Sequence, residues 1–203
     1  MLNITRHMKR SGVSNKMDGM ISINTLPKLN PFCLKMRESK ENICFACYCK
    51  RSEQYPNLQK SYAHNTEMLS SHVLTQKELP VIEHLFCRFN AFGELMNKTH
   101  AKNLYTIARY NPAVTFTLWT KRPELLKGLK KPDNMILIYS SPKKNVEAEL
   151  PAGFNKVFTV FNKEYLREHS DVTINCGAKN CLTCHKCYSL NDTDIFIREK
   201  LKA

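Results

Sequence analysis

No apolar run in this sequence approaches the ~20 residues that cross a bilayer as a helix, which argues against a membrane-spanning protein. The first ten residues, Met1 to Arg10, are polar and lack the apolar stretch of a secretory signal, so a cytoplasmic location is expected. Internal repeats, low-complexity tracts and a convincing linker are missing as well. At 203 residues the chain has the length of one ordinary domain, with at most a small appendage. Acidic residues are scarce beside basic ones, 18 against 31, which gives a net charge of +13 and a pI near 9.4. With 42% hydrophobic and 24% charged residues, the chain can bury a core and is no disordered tail.

The positive surplus is uneven. Residues 1–60 carry 11 Lys and Arg against 4 acids, and the other 143 carry 20 against 14. Such a field favours anions: nucleic acid, phosphorylated small molecules or an acidic protein. A solvated basic face reads the same way, so charge alone does not choose.

Nine cysteines are what the sequence does have in quantity. Cys33, Cys44, Cys47 and Cys49 fall in one stretch, Cys176, Cys181, Cys184 and Cys187 in another, and Cys87 stands alone. A secreted disulfide scaffold would be shorter and would spread its cysteines more evenly; close-spaced thiols in a reducing compartment mean metal ligation or redox chemistry. Cys87 and Trp119 lie within apolar runs and read as core residues.

Six short runs rich in Val, Ile, Phe and Thr read as buried strands: Met20–Asn24, Val81–Phe89, Thr115–Trp119, Met135–Tyr139, Lys156–Val160 and Val172–Asn175. Helices are expected within Cys47–Ser61, where Pro56 breaks or starts one, and over Asn97–Tyr110, Arg122–Leu129, Asn162–His169 and Asp194–Lys202. From about residue 80 strand and helix alternate, which predicts βαβ units and a mostly parallel sheet, either an open doubly wound sheet or a partial β/α barrel. Ligands then belong at the carboxyl ends of the strands. The segments that follow the strands gather polar groups there: Arg88 to Glu94, Thr120-Lys121-Arg122, Ser140-Ser141 and both cysteine groups.

The first group has the spacing Cys33-x10-Cys44-x-x-Cys47-Tyr48-Cys49. A two-residue spacer curls Cys44 and Cys47 to one side, where both can face one metal centre. Three thiolates on a four-iron cluster leave one iron open to a small molecule. Cys49, one residue beyond Tyr48, is expected to point away from Cys47 along an extended segment and not to ligate. A zinc knuckle using all four thiols is the alternative. The second group, Cys176-x4-Cys181-x-x-Cys184-x-x-Cys187, resembles the compact run of bacterial ferredoxins, which favours an iron–sulfur cluster over zinc. His185 inside the run is either a substitute ligand or a solvent-facing side chain. Gly93-Glu94 can present a carboxylate and an amide to an amino-acid-like ligand, or simply start a turn and a helix. Lys121 and Arg122 suit a carboxylate or phosphate, or ordinary surface charge.

Several elements together resemble the phage gene product 88-like family. They are Ser14-Asn15-Lys16-Met17, Cys44-x-x-Cys47-Tyr48, Arg88-x-Asn90-x-x-Gly93-Glu94, Pro112…Phe116-x-x-Trp119-Thr120-Lys121 and the terminal cysteine run. Their order spans most of residues 11–190. That family is similar to radical S-adenosylmethionine proteins, and the resemblance implies several things. The fold would be a partial (open) β/α barrel of about six mostly parallel strands over residues 1–175. A cysteine-rich metal-binding segment and a terminal helix would follow over residues 176–203. Cys33, Cys44 and Cys47 would hold a 4Fe-4S cluster, and Cys176, Cys181, Cys184 and Cys187 an auxiliary one. Glu94, Lys121 and Arg88 would be catalytic; Tyr48, Asn90, Gly93, Glu94 and Ser140 would contact S-adenosylmethionine or another small ligand. The sequence departs from the common Cys-x-x-x-Cys-x-x-Cys pattern by its ten-residue first gap, and Phe92-Gly93 stands where two glycines usually precede the glutamate.

Three functions follow as expectations. The first is redox or radical chemistry at an open cluster iron, with an electron donor as partner. The second is a zinc- or cluster-stabilised module binding nucleic acid through its basic N-terminal third, with steep salt dependence. The third is an electron carrier whose clusters are fully ligated by cysteine.

Overall fold

Short runs rich in Ile, Val, Phe and Thr become the strands of one seven-stranded sheet in the computed structural model, which describes residues 1–8, 16–190 and 192–201. The strands are β1 (Ile4–Arg6), β2 (Ile21–Ile23), β3 (Phe86–Phe89), β4 (Thr115–Thr120), β5 (Met135–Ser140), β6 (Lys156–Phe161) and β7 (Phe196–Lys200). Their order in space follows the chain without reversal. β1 runs antiparallel to β2, and every later neighbouring pair is parallel. β1 and β7 do not pair with each other, so the sheet is open. A doubly wound sheet reverses its order at a switch point, and this one does not.

The helices are α1 (Pro31–Met36), α2 (Cys49–Ser52), α3 (Pro56–Ser71), α4 (Lys98–Tyr110), α5 (Lys163–Glu168) and α6 (Cys181–Cys184). Pro31 and Pro56 open α1 and α3 at the first turn, where the missing N–H costs nothing. The Asn97 side chain caps α4 by accepting the His100 N–H at 2.9 Å.

Residues alternate between the two faces of the sheet, and the faces are covered differently. On one, Ile23, Phe89, Phe116, Leu118 and Met135 pack with Leu69 of α3 and Ala101, Leu104 and Ile107 of α4. Each of the larger of these side chains contributes about 1.5–3 kcal/mol by leaving water. Cys87 lies in this core, fully buried. The opposite face carries Ile136, Ile138, Phe158 and Ile197, with Trp119, Val160, Cys176 and Cys187 packed against them. The C-terminal cysteine segment therefore covers a face of the sheet.

Several sequence expectations fail for identifiable reasons. The stretch from Val81 to His84 stays outside the ladder; the Ile82 N–H goes instead to Asn111 Oδ1 at 2.8 Å. Val172–Asn175 is not a strand, since Asn175 bonds laterally to Arg198 through its N–H at 3.2 Å and its Oδ1 at 2.8 Å. The expected terminal helix over Asp194–Lys202 is strand β7, because pairing with β6 buries Ile197; Lys202 lies outside the described residues. Arg122–Leu129 forms only a 3-10 turn over Pro123–Leu125. β1 was not expected. Among the described residues no helix is long and apolar enough to cross a membrane.

Candidate metal centres at the sheet

The first cysteine group reaches the carboxyl ends of the strands because its loop is tied there at several points. Cys33 lies on α1, Cys44 on a 3-10 turn over Ile43–Ala46, Cys47 at the end of that turn, and Cys49 at the start of α2. An isolated bridge joins Asn42 to Lys143 just past β5, and the Ile43 N–H donates to the Pro142 carbonyl at 2.8 Å. The Asn30 side chain donates to the Glu94 and Leu95 carbonyls at 3.0 and 3.2 Å. The Tyr48 hydroxyl donates to the Ala91 carbonyl at 2.5 Å, although the residue as a whole is 64% exposed.

These ties bring the thiols within electrostatic reach of one another. Burial pushes the Cys33 thiol up to about 12, with Glu94, Cys44 and Cys47 adding to it and Lys121 opposing. Burial also raises Cys44. Cys47 is lowered, first because the Cys49 thiol hydrogen-bonds to it, then through the Cys49 N–H and Arg37. Arg37 Nη2 stands 3.7 Å from Cys47 Sγ and is itself held by Glu53 at 2.7 Å. The expectation that Cys49 points away from Cys47 is therefore wrong. Tyr48 is helical, with φ −63° and ψ −20°, and the turn folds Cys49 back, 5% exposed, beside Cys47. One intervening residue reads as an extended link in the sequence, whereas Tyr48 takes a helical turn.

Glu94 and Lys121 stand beside this group. Glu94 is 4% exposed and accepts three hydrogen bonds: from Leu95 N–H at 2.8 Å, Thr120 Oγ1 at 2.5 Å and Lys121 N–H at 2.8 Å. Burial raises its pKa, but three donors on two oxygens suit the ionised form. Lys121 Nζ donates to Ser140 Oγ at 3.0 Å and faces the Cys44 thiol and Glu94. Gly93, with φ 96°, lies so close to Thr25 that a Cβ would fall 2.1 Å from its Oγ1. Asn90 ends β3 in the left-handed region at φ 56°, is 5% exposed, and neither atom of its amide has a partner.

The second group is built on α6. Asn180 caps that helix by accepting the Leu182 N–H at 2.7 Å, and His185 ends it with φ 56°. The segment is sewn to the N-terminal region: Cys181 N–H donates to the Lys16 carbonyl at 2.7 Å, and Asn180 Nδ2 to the Asp18 carbonyl at 3.2 Å. Cys176, Cys181, Cys184 and Cys187 all line one small pocket with Lys16 and Ile197. Burial raises the Cys187 thiol to about 12, and raises Cys176 and Cys181. His185 is exposed, its ring 5.2 Å from Phe86.

A family model described as Gene product 88 matches residues 7–194, a span that holds both cysteine groups and every carboxyl-end segment up to β6. The chain belongs to the gene product 88 family. No curated protein and no solved structure matches it.

In this member of the gene product 88 family the expected site residues fall into two places. Glu94, Lys121 and Ser140 stand together by the first group, whereas Arg88 does not join them. Its side chain lies on the sheet face beneath the second group, stacked 4.0 Å from the Trp119 ring, and the Tyr48 hydroxyl and the Tyr188, Cys187 and Cys181 side chains are its electrostatic neighbours. Ser14 and Asn15, part of the resemblance, lie outside the described residues. Among the described residues no group of three or more His, Cys, Asp or Glu side chains forms a ready site for a metal ion. A cuboidal cluster spreads its thiolates over its corners, so its ligands need not close on one point. The donor set, thiols alone with cations near them, fits such a cluster in both places.

Proposed function

We propose that this protein binds iron–sulfur clusters and carries out redox or radical chemistry on a small molecule at the first of them, on a partial β/α barrel like that of radical S-adenosylmethionine proteins. The observation that carries the reading is the tethering of Cys33, Cys44 and Cys47 over the carboxyl ends of β3 to β5 beside Lys121 and Glu94. That is where open parallel sheets bind their ligands. Cys33, Cys44 and Cys47 would hold the cluster, and Cys176, Cys181, Cys184 and Cys187 the auxiliary one. A cluster with an open iron supplies one electron and a coordination position to its ligand.

The chain's own residues supply recognition. Asn90 offers a buried donor and a buried acceptor that nothing in the protein satisfies, a pairing that suits the amino and carboxylate groups of an amino-acid-like ligand such as S-adenosylmethionine. Glu94 retains one acceptor position beyond its three hydrogen bonds. Lys121 holds positive charge against the thiolates and orients through Ser140.

Electron paramagnetic resonance of the anaerobically purified, reduced protein tests this. Adding S-adenosylmethionine is expected to change the spectrum of the first centre, and Asn90→Ala to abolish that change. A cluster signal indifferent to the added ligand contradicts an open iron.

A further inference from the structure

Three donors converge on one sulfur of the first group. Arg37 Nη2 reaches Cys47 Sγ at 3.7 Å. The Cys49 thiol donates to the same sulfur, and so does the Cys49 backbone N–H. Each donor is itself held in place. Glu53 grips the Arg37 guanidinium with bonds of 2.7 and 3.0 Å, and the two side chains are only 12 and 13% exposed. The Glu53 N–H donates to the Cys49 carbonyl at 3.0 Å, so the residue that fixes Arg37 is tied to the residue that supplies the other two donors. The Cys49 sulfur accepts the Gly93 N–H, which leaves its own S–H for Cys47.

The helical turn at Tyr48 is what folds both Cys49 donors back onto the sulfur two residues earlier. A buried free cysteine is most often a small apolar filler. Cys49 has a different setting: it is buried against the Cys47 and Cys33 thiols and a backbone N–H. Glu53 balances the charge of Arg37, so Arg37 acts on Cys47 chiefly through its N–H···S bond. Reduction of a cluster adds one electron and no proton, and its sulfurs take up part of the added charge. Hydrogen bonds donated to those sulfurs favour the reduced form, the more so where water is kept away.

We propose that Arg37 and Cys49 raise the reduction potential of the first centre by donating hydrogen bonds to the Cys47 sulfur, with Glu53 and the Gly93 N–H fixing the two donors. This rests on the reading that Cys33, Cys44 and Cys47 hold an iron–sulfur cluster. Arg37 and Cys49 act through Cys47 and are positioning residues; Cys49 is a donor and not a ligand.

A redox titration of the whole protein with dithionite as the one-electron donor, followed by electron paramagnetic resonance, tests this, with iron and sulfide measured on every sample. Loss of its signal in Cys44→Ser identifies the first centre. Cys49→Ala should lower the reduced-to-oxidised ratio of that centre about tenfold at fixed potential, ~59 mV for one electron, without moving the second. Cys49→Ser keeps a donor at the same place and should hold most of the wild-type ratio. Arg37→Met combined with Glu53→Leu removes both partners of the ion pair, strands no buried charge, and should lower the ratio in the same direction. Should Cys49→Ala fail to fold, this double variant carries the expectation. A ratio unmoved in these variants, a shift as large in Cys49→Ser as in Cys49→Ala, or both centres shifting alike overturns the proposal. Iron lost from the first group of a folded Cys49→Ala chain would make Cys49 a ligand, which overturns it as well. A wild-type chain without iron in the first group contradicts the proposed function itself, and this inference falls with it.

Discussion

Glu94 has hydrogen bonds committed on both oxygens, so replacing one of them with an amide is not a mild change. Glu94→Gln turns an NH2 toward donors that already point inward and removes the charge facing Lys121. A stability loss of about 2–4 kcal/mol is expected in urea unfolding, since hydrogen bonds to buried charged groups cost that much to break. An unchanged midpoint would mean that the carboxylate is not ionised. The variant therefore reads the fold as much as ligand binding. His100 gives a second prediction at this scale. Its Nδ1 accepts the Met96 N–H at 3.2 Å, its Nε2 is buried without a partner, and burial lowers its pKa to about 3. The unfolded chain takes up the proton below about 6.5. The stabilising effect of the neutral ring is thus complete above that pH and is lost as pH falls toward 3. Acid unfolding should lose about 1.4 kcal/mol per pH unit through this group, and His100→Leu should flatten the profile between pH 6 and 3. A profile unaltered in the variant would contradict a buried neutral imidazole.

At the scale of elements, the junction between the ends of β2 and β3 is the tightest point of the site. Gly93 combines a left-handed backbone with a close approach to both the Oγ1 and the carbonyl oxygen of Thr25. Gly93→Ala should cost at least about 2 kcal/mol through strain and overpacking. Thr25→Ala should not rescue it, because a Cβ would still fall 2.7 Å from the Thr25 carbonyl oxygen. Rescue by the double variant, measured by thermal unfolding, would show that the side chain alone sets the constraint. The elements that could be read from sequence are those whose local pattern and tertiary pairing agree. Thr115–Thr120, Met135–Ser140 and Lys156–Phe161 are β-rich and sit inside the sheet. α4 carries an Asn cap, an apolar stripe and a stop before Pro112. β7 was missed because Phe196–Lys200 holds three charged residues in five, and only Ile197, buried against β6, marks it as a strand. β1 is three residues long and owes its existence to β2. Cys49 departs from its expected direction because a single intervening residue has the same spacing in a helical turn as in an extended link.

For the whole molecule, the monotonic strand order leaves the sheet with two dissimilar faces and one end where the first cysteine group gathers. Helices α3 and α4 seal the first face with an apolar core. The C-terminal segment, sewn to the N-terminal region through Lys16 and Asp18, covers the other. This arrangement explains why chain segments about 140 residues apart both carry cysteine groups: one loop lies over the strand ends and the other lies on the sheet. The grouping of the cysteines was legible in the sequence, as was the gathering of polar residues after each strand. The place of Arg88 was not, because the two-residue alternation of β3 puts it on the sheet face that the C-terminal segment covers only when the chain returns. Both groups reading as clusters is the central claim, and the iron and acid-labile sulfide content of the anaerobically purified chain tests it most directly. Iron and sulfide in equal amounts are expected, about eight of each per chain for two four-iron clusters, falling by half in Cys44→Ser and in Cys181→Ser. Zinc without sulfide, with anaerobic reconstitution also failing, would contradict it.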